Sequence, residues 1–320
     1  MDPSAVTLPA LETFDAALPH GITLACRACG PADGARVLLL HGFPEAAFVW
    51  DEVMQRLAAQ GWRCIAPDLR GYGGSSKPAE VDAYRAKHLV ADVAALIAQV
   101  GGSPQGRLAA LVAHDWGGAV AWNLAAQRPD LIERLVIVNS PHPATFLRDL
   151  KSDPAQQKAS AYMNFLCRPD AARLLAENDF ARLWTFFTRM GATDPSHPGG
   201  GWLDEATRSR YRAVWSAGLD GGLHYYRASP LKPPTSPDDP IHRVEFPPEA
   251  VTVRVPTRVV WAEADTALPP KLLDGLEAFV PQMTLVRVPG ATHWIVHERP
   301  DFVAGQIAQA LREPATHTTT

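Results

Sequence analysis

A chain of 320 residues that is 47% hydrophobic and 20% charged, with a mean hydropathy of -0.09, has the make-up of a globular protein able to bury one large core, not of a disordered or membrane-embedded one. The formal net charge is -4 and the thirty Lys and Arg residues are scattered, which excludes the basic footprint that nucleic acid or an anionic membrane requires. No run reaches the ~18 apolar residues that span a bilayer, and the N-terminus lacks the basic-then-apolar pattern of a secretory leader, so a cytoplasmic setting is expected.

Cys26 and Cys29 form a CxxC, but neither Cys64 nor Cys167 supplies the second pair that zinc needs, so reduced structural thiols and no metal are expected. From Arg36 onward, short continuous apolar runs alternate with stretches of helical spacing, which predicts parallel strands joined by helices. Val37 to Leu40 is the first buried strand. A helix follows with Val49, Val53 and Leu57 on one face, stopped by Gly61. Trp62 to Ala66 is the next strand; the glycine-rich loop RGYGGSSKP (70–78) leads to a helix with Leu89, Val93, Leu96 and Val100 in register, ended by Gly101 and Gly102. Leu108 to Ala113 is then a strand, Gly117 to Gln127 a helix and Leu135 to Val138 a strand.

The pattern changes at Pro141 and Pro143, and about a hundred residues follow without a clear strand. Amphipathic stretches near 155–190 and 203–228 read as helices, and Pro230 to Pro248, with seven prolines, should wrap irregularly. Alternation resumes with a strand at Arg258 to Ala262, a helix at Leu272 to Phe279, a strand at Thr284 to Val288 and a helix over 301–312; residues 313–320 read as a frayed tail. The expected architecture is an α/β core from 1–140 and 251–320, with a mostly parallel sheet between helices and a helical cap inserted at 141–250.

Ala113-His114-Asp115-Trp116-Gly117-Gly118 joins a buried strand to a helix, the setting of a nucleophile elbow, with Asp115 at its centre. Asp115 as a mere helix N-cap also fits that place. Asp265 directly follows the apolar strand in VVWAEAD, with Glu263 as its rival, and His293 lies in the loop after the last strand, with His297 as its fallback. Nucleophile, acid and histidine thus come in the chain order of α/β hydrolases. Serine attacking a saturated carbon forms an ether that water does not readily cleave; aspartate forms an ester whose carbonyl can be hydrolysed. Asp115 therefore selects alkylating substrates, with His293 as base on water and Asp265 orienting it. Phe43, in HGFPE (41–45), and Trp116 can supply oxyanion amides, and a cis Phe43–Pro44 bond would hold that loop. Epoxide opening needs a hydroxyl donor for the alkoxide, whereas halide departure needs only weak N–H donors. Tyr162, Tyr211, Tyr225 and Tyr226 are the tyrosines that could serve the first chemistry, and Trp184, Trp202 and Trp215 are the cap indoles for the second.

From about 36 to 312 the chain resembles the soluble epoxide hydrolase family, in HGFPE, RGYGGSSKP, HDWGG, the acid loop after VVWAEAD, and GATHW. The resemblance implies Asp115 as nucleophile, Asp265 as acid, His293 as base, and Phe43 and Trp116 as oxyanion donors. It also assigns Tyr162, by its spacing to Pro169, and Tyr226, in LHYYR, as the paired hydroxyl donors, leaving Tyr225 and Tyr211 as bystanders. Ala113 departs from the commoner glycine. Fluoroacetate dehalogenases are similar, but they carry arginines just after the nucleophile where Ala119 to Asn123 offer none, which disfavours carboxylate substrates; haloalkane dehalogenases often have asparagine where this chain has Phe43. What the resemblance implies is a cofactor-free enzyme, monomeric or homodimeric, that adds water to a small apolar epoxide. Dehalogenation by the same aspartate and a noncatalytic ligand-binding member of the fold are the competing readings.

Overall fold

Continuous apolar runs become the middle of a sheet because both of their faces are covered. In the computed structural model, which describes residues 8–101 and 106–313, these are β3 (Arg36–Leu40), β4 (Arg63–Pro67), β5 (Ala110–His114), β6 (Leu135–Val138) and β7 (Thr257–Ala262). Two earlier strands, β1 (Leu11–Ala17) and β2 (Thr23–Cys29), and a last one, β8 (Met283–Val288), complete one sheet of order β1-β2-β4-β3-β5-β6-β7-β8 among the described residues. β1 and β2 pair antiparallel, as do β2 and β4; the other pairings are parallel. Cys26 and Cys29 stand three apart on β2, hence on opposite faces of a period-two strand, and both are buried as free thiols.

The helices cover both faces. α1 (Asp51–Ala58) continues a 3-10 turn at Ala47–Trp50, and its first-turn Asp51 takes Arg27 of β2 at 2.5 and 2.9 Å. α2 (Ala86–Val100) buries Leu89, Val93, Leu96 and Ile97, and α3 (Asp115–Gln127) packs with small residues against β5. Gly102 and most of the 313–320 tail lie outside the described residues. The stretch from Leu272 to Phe279 corrects the expected helix: it forms two 3-10 turns, Pro270–Leu273 and Leu276–Ala278, separated by left-handed Gly275 at φ +76°. α11 (Ile295–Glu298) and α12 (Pro300–Arg312) follow β8, and seven further helices lie between β6 and β7.

Those are α4 (Pro143–Ser152), α5 (Pro154–Ala159), α6 (Tyr162–Leu166), α7 (Ala171–Thr188, broken at Glu177 to Phe180), α8 (Glu205–Ser216), α9 (Asp220–Ala228) and the short α10 (Pro248–Val251). The proline-rich stretch holds only a 3-10 turn at Pro240–Arg243 before α10. Trp184, Phe187, Tyr211 and Trp215 form an aromatic core within these helices, and Phe187 meets Trp294 at 4.3 Å between centroids. Burying each such ring contributes about 2–3 kcal/mol. Trp215 Nε1 donates to the Pro44 carbonyl at 2.7 Å and Tyr225 Oη to that of Arg70 at 2.8 Å, which seats the helices over the carboxyl ends of the strands. No helix among the described residues is long and apolar enough to cross a membrane.

Candidate active site

Asp115 opens α3 immediately after β5 with φ +48°, a left-handed conformation that costs a non-glycine residue about 1–3 kcal/mol. Two glycines allow the crowding that holds it there. A Cβ on Gly117 would lie 2.5 Å from the His41 carbonyl oxygen, so α3 can start against the end of β3 only with glycine at that place. A Cβ on Gly42 would lie 2.3 Å from both Cβ and Oδ1 of Asp115. The HGFPE loop therefore presses on the carboxylate, and the Phe43 amide donates to Asp115 Oδ1 at 2.7 Å. The Phe43–Pro44 bond is cis. Asp115 is no N-cap: His114 takes that position, and the carboxylate is held by Phe43. The Trp116 amide follows in the first turn of α3.

The other Asp115 oxygen, Oδ2, lies 3.7 Å from His293 Nε2. On the far side of the imidazole, Nδ1 meets Asp265 Oδ2 at 2.6 Å, which fixes Nδ1 as the protonated nitrogen and leaves Nε2 facing Asp115. Asp265 follows β7, and its Oδ1 accepts the amides of Ala267 and Leu268 at 2.8 and 3.0 Å. Burial opposes charge on Asp265, yet the imidazolium of His293, its hydrogen bond and that of Asn139 hold the carboxyl below its ordinary value. Burial also pulls the His293 pKa down, but Asp265, then Asp115 and Glu45, outweigh it and lift the imidazole to about 9.

Two cavities meet at this carboxylate. One, of about 300 Å³, runs along α3 past Leu89, Trp116, Phe146 and Met163; the other, of about 510 Å³, runs past His293, Phe186 and Trp294. Asp115, Tyr162 and Tyr226 line both. Tyr226 stands edge-on to Phe43 and Trp116, at 5.3 and 5.0 Å between centroids, and 6.2 Å from Tyr162. Burial raises both phenol pKa values, and the charge of Asp115 raises them further, so both stay O–H donors at neutral pH.

The rivals fall elsewhere. Glu263 pairs with Arg287 at 3.2 Å at the surface. His297 stacks on Trp202 and meets Tyr211 Oη at 2.7 Å. Tyr225 lines the first cavity but gives its hydroxyl to the Arg70 carbonyl, and Tyr211 contacts Glu45. Trp184 and Trp215 donate their indole N–H groups to the carbonyls of Asp179 and Pro44, and Trp202 lines neither cavity.

A family model described as the alpha/beta hydrolase fold matches residues 35–300. An AB hydrolase superfamily protein of Bacillus subtilis is 35% identical over 92% of this chain and 96% of its own length, and epoxide hydrolase 4 of mouse is 30% identical over 89% and 75%. The crystal structure of an epoxide hydrolase from Bacillus megaterium with an inhibitor superposes with a TM-score of 0.83 at 29% identity, covering 94% of this chain and all of that one. The chain is an α/β hydrolase of the epoxide hydrolase family.

Three buried residues of this hydrolase site had no role in the sequence reading. Asn139 follows β6 at φ +39°; its amide donates to Asp265 Oδ2 at 2.9 Å and its oxygen accepts the Ala262 amide at 2.6 Å. Its readable signal is its place directly after an apolar strand, the same signal that marked Asp265. Glu45 and His114 meet at 3.0 Å, and His114 Nε2 bonds the His293 carbonyl at 2.9 Å, fixing the backbone that carries that imidazole. Burial opposes charge on Glu45, but the hydrogen bond and charge of His114 hold its carboxyl at about 2. Both residues lie inside quoted motifs, HGFPE and HDWGG, without a spacing that gives them a function.

Proposed function

We propose that the chain opens an epoxide to a vicinal diol through a covalent ester on Asp115. The observation that carries the reading is that one carboxylate has the Phe43 amide on one oxygen, the His293–Asp265 pair behind the other, and two neutral phenols lining the same cavities. The names of the related epoxide hydrolases support it.

Oδ1 is engaged by Phe43, so Oδ2 is the attacking oxygen. It forms a bond to one epoxide carbon while the C–O bond of the ring breaks, and Tyr162 and Tyr226 donate hydrogen bonds, one of them its proton, to the departing alkoxide. Alkylation removes the negative charge of Asp115, one of the charges that keep His293 protonated. The imidazolium then yields its proton to the phenolate, which restores the phenol, and the neutral imidazole can take one from water. That water attacks the ester carbonyl carbon, the oxyanion forms on Oδ1 at the Phe43 and Trp116 amides, and the bond between the carboxyl carbon and the alkylated oxygen breaks to release the diol. The proton left on the attacking oxygen passes to the departing alkoxide, and His293 ends protonated, as it began. No cofactor enters these steps. Substrate and product are small molecules, apolar at least along the first cavity.

A single turnover with an aryl epoxide in heavy-oxygen water tests the scheme, with peptide mass spectrometry of the Asp115 segment. One heavy oxygen in that carboxylate is expected; diol formation without it overturns the ester route. Release of halide from a haloalkane without diol from any epoxide would favour dehalogenation, a reading the engaged indoles of Trp184 and Trp215 do not support.

A further inference from the structure

His293 sits in the segment between β8 and α11, and the core grips that segment twice. The Ala264 amide donates to the Ala291 carbonyl at 2.9 Å, and His114 takes the carbonyl of His293 itself. A third grip comes from Glu298, at the end of α11. Its Oε2 accepts the Thr292 amide at 2.9 Å, and its Oε1 accepts the Thr292 hydroxyl. The oxygen of that hydroxyl in turn accepts the Trp294 amide at 3.3 Å. Both chain neighbours of His293 are thus tied to one carboxylate, Thr292 directly and Trp294 through Thr292 Oγ1.

A bland account is that Glu298, two residues before Pro300, suits the amino end of α12, where a negative charge complements the helix dipole. Both of its oxygens turn back to Thr292 instead. Its neighbour Arg299 shows what a plain brace looks like, with one long contact of 3.4 Å to the Pro289 carbonyl. Glu298 is half-buried and Thr292 buried, and the cap closes over the pair: a Cβ on Gly199, between α7 and α8, would lie 2.8 Å from Glu298 Cβ. Burial lifts the Glu298 pKa, and the bonds from Thr292 are the largest pull the other way. Hydrogen bonds to a carboxylate shielded in this manner are stronger than those at an open surface.

We propose that Glu298 is a positioning residue for His293: by fixing Thr292 and, through its hydroxyl, the Trp294 amide, it sets the direction from which Nε2 faces Asp115. This rests on the reading in which Asp115 is alkylated and His293 then activates water. Under that reading the clamp matters to one step only. Ring opening uses Asp115, Tyr162 and Tyr226, none of which hangs from the segment between β8 and α11. Ester hydrolysis uses the imidazole, whose Nε2 stands 3.7 Å from Asp115 Oδ2, and a misplacement of about 1 Å there costs up to about a hundredfold.

Single turnovers with styrene oxide, followed by intact-protein mass and by tryptophan fluorescence, resolve the two steps. Glu298→Leu should slow ester hydrolysis by about 10- to 30-fold and leave ester formation within about twofold, so that alkylated protein accumulates. Glu298→Gln keeps an oxygen for the Thr292 amide and an N–H for the hydroxyl oxygen, and should bring hydrolysis back to within about threefold of wild type. Thr292→Val removes the hydroxyl alone and should slow the same step by about three- to tenfold, with little added when Glu298→Leu is already present. A brace that served stability alone would lower the urea midpoint and leave the ratio of the two rates unchanged. Rates that fall together in Glu298→Leu, or do not fall, overturn the proposal, as does a Gln variant as slow as the Leu variant. Should Glu298→Leu not fold, the ratio of the two rates in Thr292→Val decides alone. Failure of the underlying reading shows in the wild type itself, as neither alkylated protein nor diol, and both inferences then fall.

Discussion

Asn139 donates to the same oxygen of Asp265, at 2.9 Å, that meets His293 Nδ1 at 2.6 Å. The acid is thereby clamped from the end of β6 as well as from its own loop, and the clamp sets where the imidazole points. Asn139→Ala removes the side-chain amide's bonds to Asp265 and Ala262 and leaves alanine at φ +39°, so we expect a loss of about 2–3 kcal/mol in stability. Ester hydrolysis should slow by about 10- to 100-fold while ester formation changes much less. Stopped-flow fluorescence separates the two steps. Hydrolysis at the wild-type rate in the folded variant would remove Asn139 from the site.

In the proposed scheme attack by Asp115 precedes activation of water, so His293→Gln should trap the ester. After mixing with an aryl epoxide, the intact mass of the protein should rise by the mass of one epoxide and stay there. An unchanged mass, with substrate consumed, contradicts the scheme.

Tyr226→Phe and Tyr162→Phe each remove a neutral hydroxyl donor facing the reacting carboxylate. Each should slow ring opening on the order of a hundredfold. The ester-hydrolysis rate, measured in the same transients, should hardly move; a fall in that step instead would assign the phenols to positioning water.

Stability should titrate in two limbs, with a maximum near pH 6.5. His293 stands at about 9 in the folded chain against about 6.5 unfolded, so its contribution is complete below 6.5 and disappears as pH rises through 9. His142 and His297, both driven down to about 4 by burial, act in the opposite direction: the unfolded chain binds their protons first, and stability falls as pH drops from 6.5 toward 4. Glu45, held at about 2, adds a further loss below 4.5. Urea midpoints across this range should therefore decline on both sides. His293→Gln should flatten the limb between 6.5 and 9 alone, leaving the steeper loss above 9 that the buried thiols of Cys26 and Cys64 bring. A full alkaline limb in that variant would mean that another group carries it.

The central strands were readable because residues such as Val37 to Leu40 and Leu135 to Val138 have no polar face to hide. β1 was not, since Leu11–Ala17 mixes acidic, polar and apolar residues and buries little of its length. Apolar spacing over Leu272 to Phe279 imitates a helix, but Gly275 breaks it, and only the fold decides that. In the site, strand-end position and chain order marked Asp115, Asp265 and His293. The Glu45–His114 contact joins residues 69 apart, the His114–His293 contact residues 179 apart, and the Asn139–Asp265 contact residues 126 apart. Such pairs join segments that only the sheet brings together, and no local period records them.

β6 and β7 lie side by side, yet the chain leaves one after Val138 and enters the other at Thr257. Because the two strands run parallel, the chain departs at the carboxyl end, beside Val260, and returns at the amino end, where Leu135 N bonds the Pro256 carbonyl, so the residues between must travel back along the sheet. Exchanging that stretch would take away Tyr162 and Tyr226, and with them the ring of Phe187 against Trp294 and the bonds of Trp215 to Pro44 and of Tyr211 to Glu45. The loops that carry Phe43 and His293 are therefore braced by the very helices that cover them, and a substitute segment would have to reproduce those braces to leave Asp115, Asp265 and His293 where they are.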